Sequence, residues 1–250
     1  DWSSDVCSSD LPFIFFRDTV NAANPNKHAG MIYASNLCHE IAQNVGFTNL
    51  AEEIINEDGT ITTKTNTGDM VTCNLNSISL GRISDEELEE NIALQIRMLD
   101  NVISINQAPV PESRMTSDKY RAIGLGTSGY HHYLVNHDIQ WESDEHIEAA
   151  DKLFENIAYY AIKASMELAK EKGAYPAFKG SEWETGEYFT RRGYTSDRWK
   201  QLAADVAKYG IRNGYLMAVA PTGSTSNIAN TTAGIDPIFK KFFIEEKKGS

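Results

Sequence analysis

The sequence predicts an α/β domain. Short apolar runs bounded by turn residues, at 71–80 and 215–220, read as strands, and helical patterns at 84–104, 143–172 and 196–209 alternate with them. A hydrophobic content of 41% over 250 residues is enough for a sizeable core.

Composition excludes several classes. The net charge of −12 opposes binding to a nucleic-acid polymer, which needs a surplus of Lys and Arg. No apolar run reaches the ~20 residues of a membrane helix, and the acidic, Ser-rich N-terminus is unlike a secretory signal. Three cysteines give no disulfide framework and fit a reducing, cytoplasmic compartment.

Taken in order, residues 1–11 repeat Ser-Ser-Asp and show no apolar period. They read as an adapter-like segment foreign to the fold, so Cys7 carries no chemistry and the domain is expected over 12–250. The stretch Gly30-Met-Ile-Tyr-Ala34 reads as extended backbone leading into Ser35-Asn-Leu-Cys-His-Glu40. Alternation then puts Asn36, Cys38 and Glu40 on one face. An amide, a thiol and a carboxylate together can orient a hydroxylated substrate, attack it and take its proton. A buried structural cysteine beside an edge-strand glutamate fits the same spacing, and from these residues alone both readings stand. A metal site at Cys38, His39 and Glu40 is unsupported, because strand neighbours face opposite ways and closed zinc sites recruit clustered ligands.

Residues 44–70 read as a hairpin-like excursion turning at Glu57-Asp-Gly-Thr60 between Ile54-Ile55 and Ile61. The run 71–80 is expected to be a strand carrying Cys73 and Asn74 into the core. Ser84 is a helix N-cap before Asp85, Glu86 and Glu87, with Leu88, Ile92, Ile96, Leu99 and Ile103 at helical spacing. Gly124-Leu-Gly126-Thr-Ser-Gly129 has the spacing of a dinucleotide loop but lacks an apolar strand before it, so close packing is the better reading. His131, His132 and His137 follow on a helix, with no pattern that would make them metal ligands.

The helix at 143–172 should bury Ile147, Phe154, Ile157, Ala161, Ala164 and Leu168 and stop at Gly173. The helix at 196–209 should turn Trp199, Leu202 and Val206 inward. Pro221-Thr-Gly-Ser-Thr-Ser226 turns out of the apolar run 215–220 towards a helix start. Such a turn either holds an anion on backbone N–H groups or is capped by Ser224 or Thr225. No Lys follows the glycine, so it is not a Walker A loop.

Several motifs occur in a fixed order: Pro12-Phe-Ile-Phe-Phe-Arg-Asp-Thr-Val20, Asn24-Pro-Asn-Lys27, Met31 to Ile41, Val71 to Leu80, Ile123 to Gly129, Glu167 to Tyr175, and Ala220 to Ser226. Together they resemble the large, catalytic subunit of class I ribonucleotide reductases. The resemblance implies part of a ten-stranded α/β barrel whose central finger loop carries the catalytic cysteine. It makes Cys38 the thiyl radical that takes the 3′ hydrogen, Glu40 the acceptor of the 3′-hydroxyl proton, and Asn36 a hydrogen-bonding partner of the substrate, with Ser35 beside it. Cys73 becomes one of two reducing thiols, its partner lying upstream in the family. Pro221, Thr222, Gly223, Ser224 and Thr225 become the cradle for the phosphates of a ribonucleoside diphosphate.

The same resemblance implies no cofactor bound directly. A metal-containing small subunit supplies the radical, a thioredoxin or glutaredoxin type of protein supplies electrons, and the full-length protein is a homodimer. Asn-Leu-Cys, rather than Asn-Pro-Cys, favours class I over the cobalamin-dependent class. A catalytically incompetent remnant that binds only a nucleotide or a partner is the alternative. The group Asn36, Cys38, Glu40 and Cys73 argues against it, because a remnant needs none of the four.

Overall fold

The computed structural model describes residues 14–240 and 242. Segment 1–11, with Cys7, lies outside the described residues. The chain opens with the short helix α1 (Arg17–Ala22), continues through a loop to the hairpin β1 (Asn49–Ile55) and β2 (Ile61–Asn66), and then enters β3 (Leu75–Ser79). The hairpin falls where its turn signal put it. Asp58 Oδ1 accepts from Thr60 N–H, Gly59 takes φ 85°, and both strands are exposed along their whole length.

The central sheet is parallel. β3 pairs with β4 (Gly124–Ser128) from Leu75↔Gly124 to Ser79↔Ser128. A parallel pair needs a crossover, supplied here by α2 (Leu88–Ile105) and α3 (Pro111–Tyr120). The chain at 215–218 runs along the other edge of β4, where Leu125 N–H donates to Leu216 O at 2.8 Å and Ala218 N–H donates to Leu125 O at 3.0 Å. The expected strand at 215–220 is thus reduced to one bridge, Leu125↔Met217, because its outer edge has no neighbour among the described residues. The expected strand at 71–80 is likewise shorter, beginning at Leu75. The described residues form two two-stranded sheets and no closed barrel.

The glycines at 124 and 126 belong to this packing. A Cβ on Gly124 would lie 2.3 Å from Leu75 Cδ2, and one on Gly126 would lie 2.4 Å from the Ala218 carbonyl oxygen. Both sit within a strand that follows a helix, which removes the dinucleotide-loop reading.

The helices follow their sequence patterns closely. Ser84 and Glu87 form a reciprocal capping box before α2, and Leu88, Ile92, Ile96, Leu99 and Ile103 are all buried. After α4 (Tyr130–Asn136) comes α5 (Asp144–Lys172), in which Ser143 Oγ accepts from His146 N–H and Gly173 ends the helix at φ 82°. α5 packs on α2. Ile147 departs from expectation at 67% exposed: the first turn of α5 packs instead through His146, whose ring lies 4.6 Å from Trp141 and 5.6 Å from Tyr130, and the buried side chains begin at Leu153. The short helices α6 (Glu182–Thr185) and α7 (Glu187–Arg191) lead to α8 (Asp197–Tyr209), which buries Trp199, Leu202 and Val206 as predicted.

One buried charge ties these parts together. Asp100 on α2 is fully buried and accepts from Arg121 Nε at 2.7 Å, Arg212 Nε at 3.2 Å, Lys172 Nζ at 3.2 Å and Asn213 Nδ2 at 3.3 Å. Burial alone would raise its pKa. The Arg121 hydrogen bond and the charges of Arg121 and Arg212 outweigh burial and hold the carboxyl below the usual aspartate range. Arg121, which ends α3 at φ 44°, is therefore held in a left-handed conformation by the bonds it makes.

Candidate active site

Cys38 sits at the tip of a turn. Asn36 N–H donates to Ile41 O at 3.4 Å, Ile41 N–H donates to Asn36 Oδ1 at 3.0 Å, and His39 N–H donates to Asn36 O at 3.2 Å. His39 takes φ 66°, which reverses the chain. The extended face expected for Asn36, Cys38 and Glu40 is therefore not formed, since the clasp between residues 36 and 41 closes a loop instead. The Asn36 carbonyl oxygen holds this turn, and its Nδ2 is the group that can point to a ligand.

The stem of the loop is fixed from both sides. Val45 N–H donates to Met31 O at 3.0 Å, and the Asn21 amide both accepts from Ile32 N–H and donates to Ile32 O, at 2.9 and 2.7 Å. Ile32 and Ile41 are buried anchors on the two limbs. Cys38 itself is exposed. Ser35 is half-buried, and its hydroxyl donates to the Asn36 carbonyl at 3.1 Å, so it too serves the turn.

Cys73 is brought to the same place by another route. The segment before β3 lies along α3, with Lys119 Nζ on Asp69 Oδ1 at 2.8 Å, Met70 N–H donating to Thr116 Oγ1 at 2.7 Å, and the Thr72 and Ser117 hydroxyls 2.7 Å apart. Cys73 was expected inside the core but is exposed, because the strand starts two residues later. Partial desolvation pushes its thiol pKa up, and the neighbouring charges of Glu40 and Cys38 push it further in the same direction. Cys73 thus lies within electrostatic reach of both Glu40 and Cys38. Glu40 Oε2 is buried and has no hydrogen-bond partner among the described residues. A buried carboxylate oxygen of this kind is open to a donor from outside the described residues, such as a substrate hydroxyl.

A wide groove of about 990 Å³ adjoins the loop, lined among others by Phe16, Arg17, Tyr33, Asn36 and His39. Cys38, Glu40 and Cys73 do not line it. Asn36 and Ser35 line it, so the groove borders the loop on the side of these two residues.

The turn 221–226 is more helical than predicted. α9 spans Gly223–Ile228, with Thr222 at the cap position in the left-handed region, φ 52°. Neither Ser224 nor Thr225 caps it, because both fall inside the first turn. Thr225 Oγ1 donates to Thr222 O at 3.2 Å, and Thr222 Oγ1 accepts from Gly234 N–H at 2.8 Å. The first intrahelical donor is Ser226 N–H, so the N–H groups of Gly223 and Thr225 stand ahead of the helical ladder. Pro221, Gly223, Ser224 and Thr225 are exposed and Thr222 is half-buried. Cys73 lies within electrostatic reach of Cys38 and Glu40, whereas Pro221–Thr225 lies towards the opposite end of the parallel strands, since Cys73 precedes β3 and Pro221 follows the chain beside β4.

Sequence reasoning missed the polar network beneath the loop. Asn24 Nδ2 donates to Asn44 Oδ1 at 2.7 Å, Asn44 Nδ2 donates to Asn26 O at 2.9 Å, and Tyr175 OH donates to Asn26 Oδ1 at 2.6 Å. These asparagines are buried, and polar side chains with no local partner in an otherwise apolar neighbourhood were the only signal available. Among the described residues, no group of three or more His, Cys, Asp or Glu could hold a metal ion, and no helix is long and apolar enough to cross a membrane.

Comparison with known proteins finds one family. The family model of the ribonucleotide reductase barrel domain matches residues 2–250. The ribonucleoside-diphosphate reductase subunit alpha of Treponema pallidum is 54% identical over 250 residues, covering 98% of this chain and 30% of that protein. The subunit of the same name from Helicobacter pylori is 38% identical over 94% of this chain and 36% of its own length, and that of Synechocystis is 35% identical over 94% and 29%. The chain therefore spans 29–36% of the length of these three relatives.

Proposed function

Since this chain belongs to the ribonucleotide reductase barrel-domain family, we propose that the full-length protein reduces ribonucleoside diphosphates to 2′-deoxyribonucleotides by a thiyl-radical route. The observation that carries the reading is Cys73 within electrostatic reach of Cys38 and Glu40, with Glu40 Oε2 buried and without a partner among the described residues. Two strands of a sheet, a crossover of helices and a cysteine-bearing loop fit one part of a ten-stranded barrel with a central finger loop, the remainder coming from the rest of the longer protein.

Each residue has a chemical task. The Cys38 thiyl takes the 3′ hydrogen atom, and Glu40 accepts the 3′-hydroxyl proton on its open oxygen. Loss of the 2′-hydroxyl as water is difficult from a closed-shell sugar and easier beside a 3′ radical. Cys73 and a second thiol then give two electrons and two protons and end as a disulfide, while the 3′ hydrogen returns from Cys38 to the sugar. Asn36 Nδ2 and Ser35 help to hold the ribose. Pro221, Thr222, Gly223, Ser224 and Thr225 hold the phosphates, so the substrate lies along the strands between the turn and the thiols.

The chemistry requires partners. A metal-containing small subunit generates the radical, a thioredoxin or glutaredoxin type of protein reduces the disulfide, and the full-length protein acts as a homodimer. Both thiols must be reduced before each turnover, which suits the cytoplasm.

Cys38→Ser in the full-length protein, assayed with its radical-generating subunit, tests the reading. A hydroxyl fits the space but cannot carry the radical, so deoxynucleotide formation stops while nucleotide binding persists. Product formed at the parent rate would end the thiyl assignment.

A further inference from the structure

The stem of the loop that carries Cys38 meets the chain beside β4 through the Tyr215 phenol and through Asn26 Nδ2, which donates to Gly214 O at 2.9 Å, while Asn44 Nδ2 also donates to Tyr120 OH at 3.2 Å. Asn44, fully buried one residue before the Val45 to Met31 bond that closes the loop stem, donates its backbone N–H to Tyr215 OH at 3.2 Å. Tyr215 OH donates to Asn24 Oδ1 at 3.2 Å, and Asn24 Nδ2 donates back to Asn44 Oδ1 at 2.7 Å. The three residues form a closed ring of hydrogen bonds. The backbone of Tyr215 is itself held beside β4, where its carbonyl accepts from Ile123 N–H at 3.0 Å. Six residues later the same chain reaches Pro221.

The geometry points to Tyr215 as a positioning residue. Its hydroxyl is the contact that joins the Asn44 backbone, next to the bond closing the loop stem, to the segment that runs on into Pro221–Thr225, and so it trims the distance between the hydrogen-abstracting thiol and the phosphate end of the substrate, with the Asn26 to Gly214 bond holding the stem in place beside it. This role rests on the reading of Cys38 as the radical site. The ring of Tyr120 packs edge-on against Tyr215 with centroids 5.9 Å apart, which keeps the phenol in place when its hydroxyl is removed. Hydrogen transfer depends steeply on the separation of the reacting atoms. A loop displaced by about 1 Å lowers the rate by up to about a hundredfold without changing how the nucleotide binds.

The test is Tyr215→Phe in the full-length protein with its radical-generating subunit, with rates normalised to the fraction that binds nucleotide. The substrate is used with hydrogen or deuterium at the 3′ position. The proposal expects an unchanged KM, a kcat lower by about tenfold to a hundredfold, and a 3′-deuterium isotope effect larger than that of the parent. A merely structural role lowers the active fraction and leaves the normalised kcat and isotope effect where they were, and that result overturns it. Asn24→Ala breaks the same hydroxyl contact from the other side, together with the Asn24 bonds to Asn44 Oδ1 and Asn26 N–H, and should lower the normalised kcat at least as far. If neither variant yields folded protein, Tyr215 and Asn24 are structural and the proposal falls. Cys38→Ser in the same assay separates the two claims: if it still forms product, the thiyl reading fails, whereas a silent Tyr215→Phe beside an inactive Cys38→Ser removes only the positioning role.

Discussion

Replacing Gly223 by Val separates phosphate binding from helix capping, because the two roles predict different outcomes. Gly223 is the first residue of α9, its backbone is outside the left-handed region, and a Cβ built on it meets nothing within 4 Å. The protein without nucleotide therefore tolerates the side chain, and helix propensity favours Val over Gly by a few tenths of a kcal/mol at most, ~0.3. If a phosphate oxygen approaches this backbone, the valine side chain occupies its place. Each hydrogen bond from backbone N–H to a charged oxygen is worth about 1.5–3 kcal/mol, so losing one weakens binding by about tenfold to a hundredfold or slightly more. Calorimetry on the full-length protein, comparing a ribonucleoside diphosphate with its nucleoside, is run beside thermal unfolding. The expected result is weaker nucleotide binding, unchanged nucleoside binding and no loss of thermal stability. If the variant discriminates nucleotide from nucleoside as the parent does, Pro221–Thr225 does not hold phosphate.

Two further outcomes follow from the described contacts. Because the charge of Glu40 helps to raise the Cys73 thiol, Glu40→Gln should shift the pH profile of Cys73 alkylation, followed by mass spectrometry of the labelled peptide, towards lower pH; an unmoved profile means that the two groups are not neighbours. Asp100 has its folded pKa depressed, so its stabilisation is present above the unfolded value of about 3.9 and is lost as pH falls through the folded value. Asp100→Asn leaves Arg121 and Arg212 without their counter-ion and should cost about 3–5 kcal/mol in urea unfolding at neutral pH, with a smaller penalty in acid. An equal penalty at both pH values would contradict the charge assignment.

Much of the helical framework was legible because its determinants are local. Ser84 with Glu87, and Ser143 with Gly173, mark ends that the structure reproduces, and the stripe from Leu88 to Ile103 is buried as spaced. The hairpin turn at 57–60 was legible for the same reason. Helix α3 was missed although Pro111 stands at its first position, because its apolar period is weak and its polar face is used to hold residues 69–72. Ile147 was misplaced because periodicity tells which face is apolar and not where the core ends.

The candidate site was less legible. The residues Cys38, Glu40 and Cys73 stood out by type, but the strand expected to align Asn36, Cys38 and Glu40 is a turn made by bonds between positions 36 and 41. Cys73 reaches the site through contacts between positions 45–50 apart in the chain, and the ring of Asn24, Asn44 and Tyr215 joins positions up to 191 apart. Neither arrangement leaves a periodic trace.

The most direct measurement is a single turnover by the pre-reduced full-length protein with its radical-generating subunit and no external reductant, followed by rapid alkylation and peptide mass spectrometry. Cys73 should be recovered in a disulfide, one per deoxynucleotide formed, while Cys38 is recovered as an alkylated thiol. Recovery of Cys38 in the disulfide, or product formed with Cys73 still fully alkylated, would contradict the division of labour between the two cysteines.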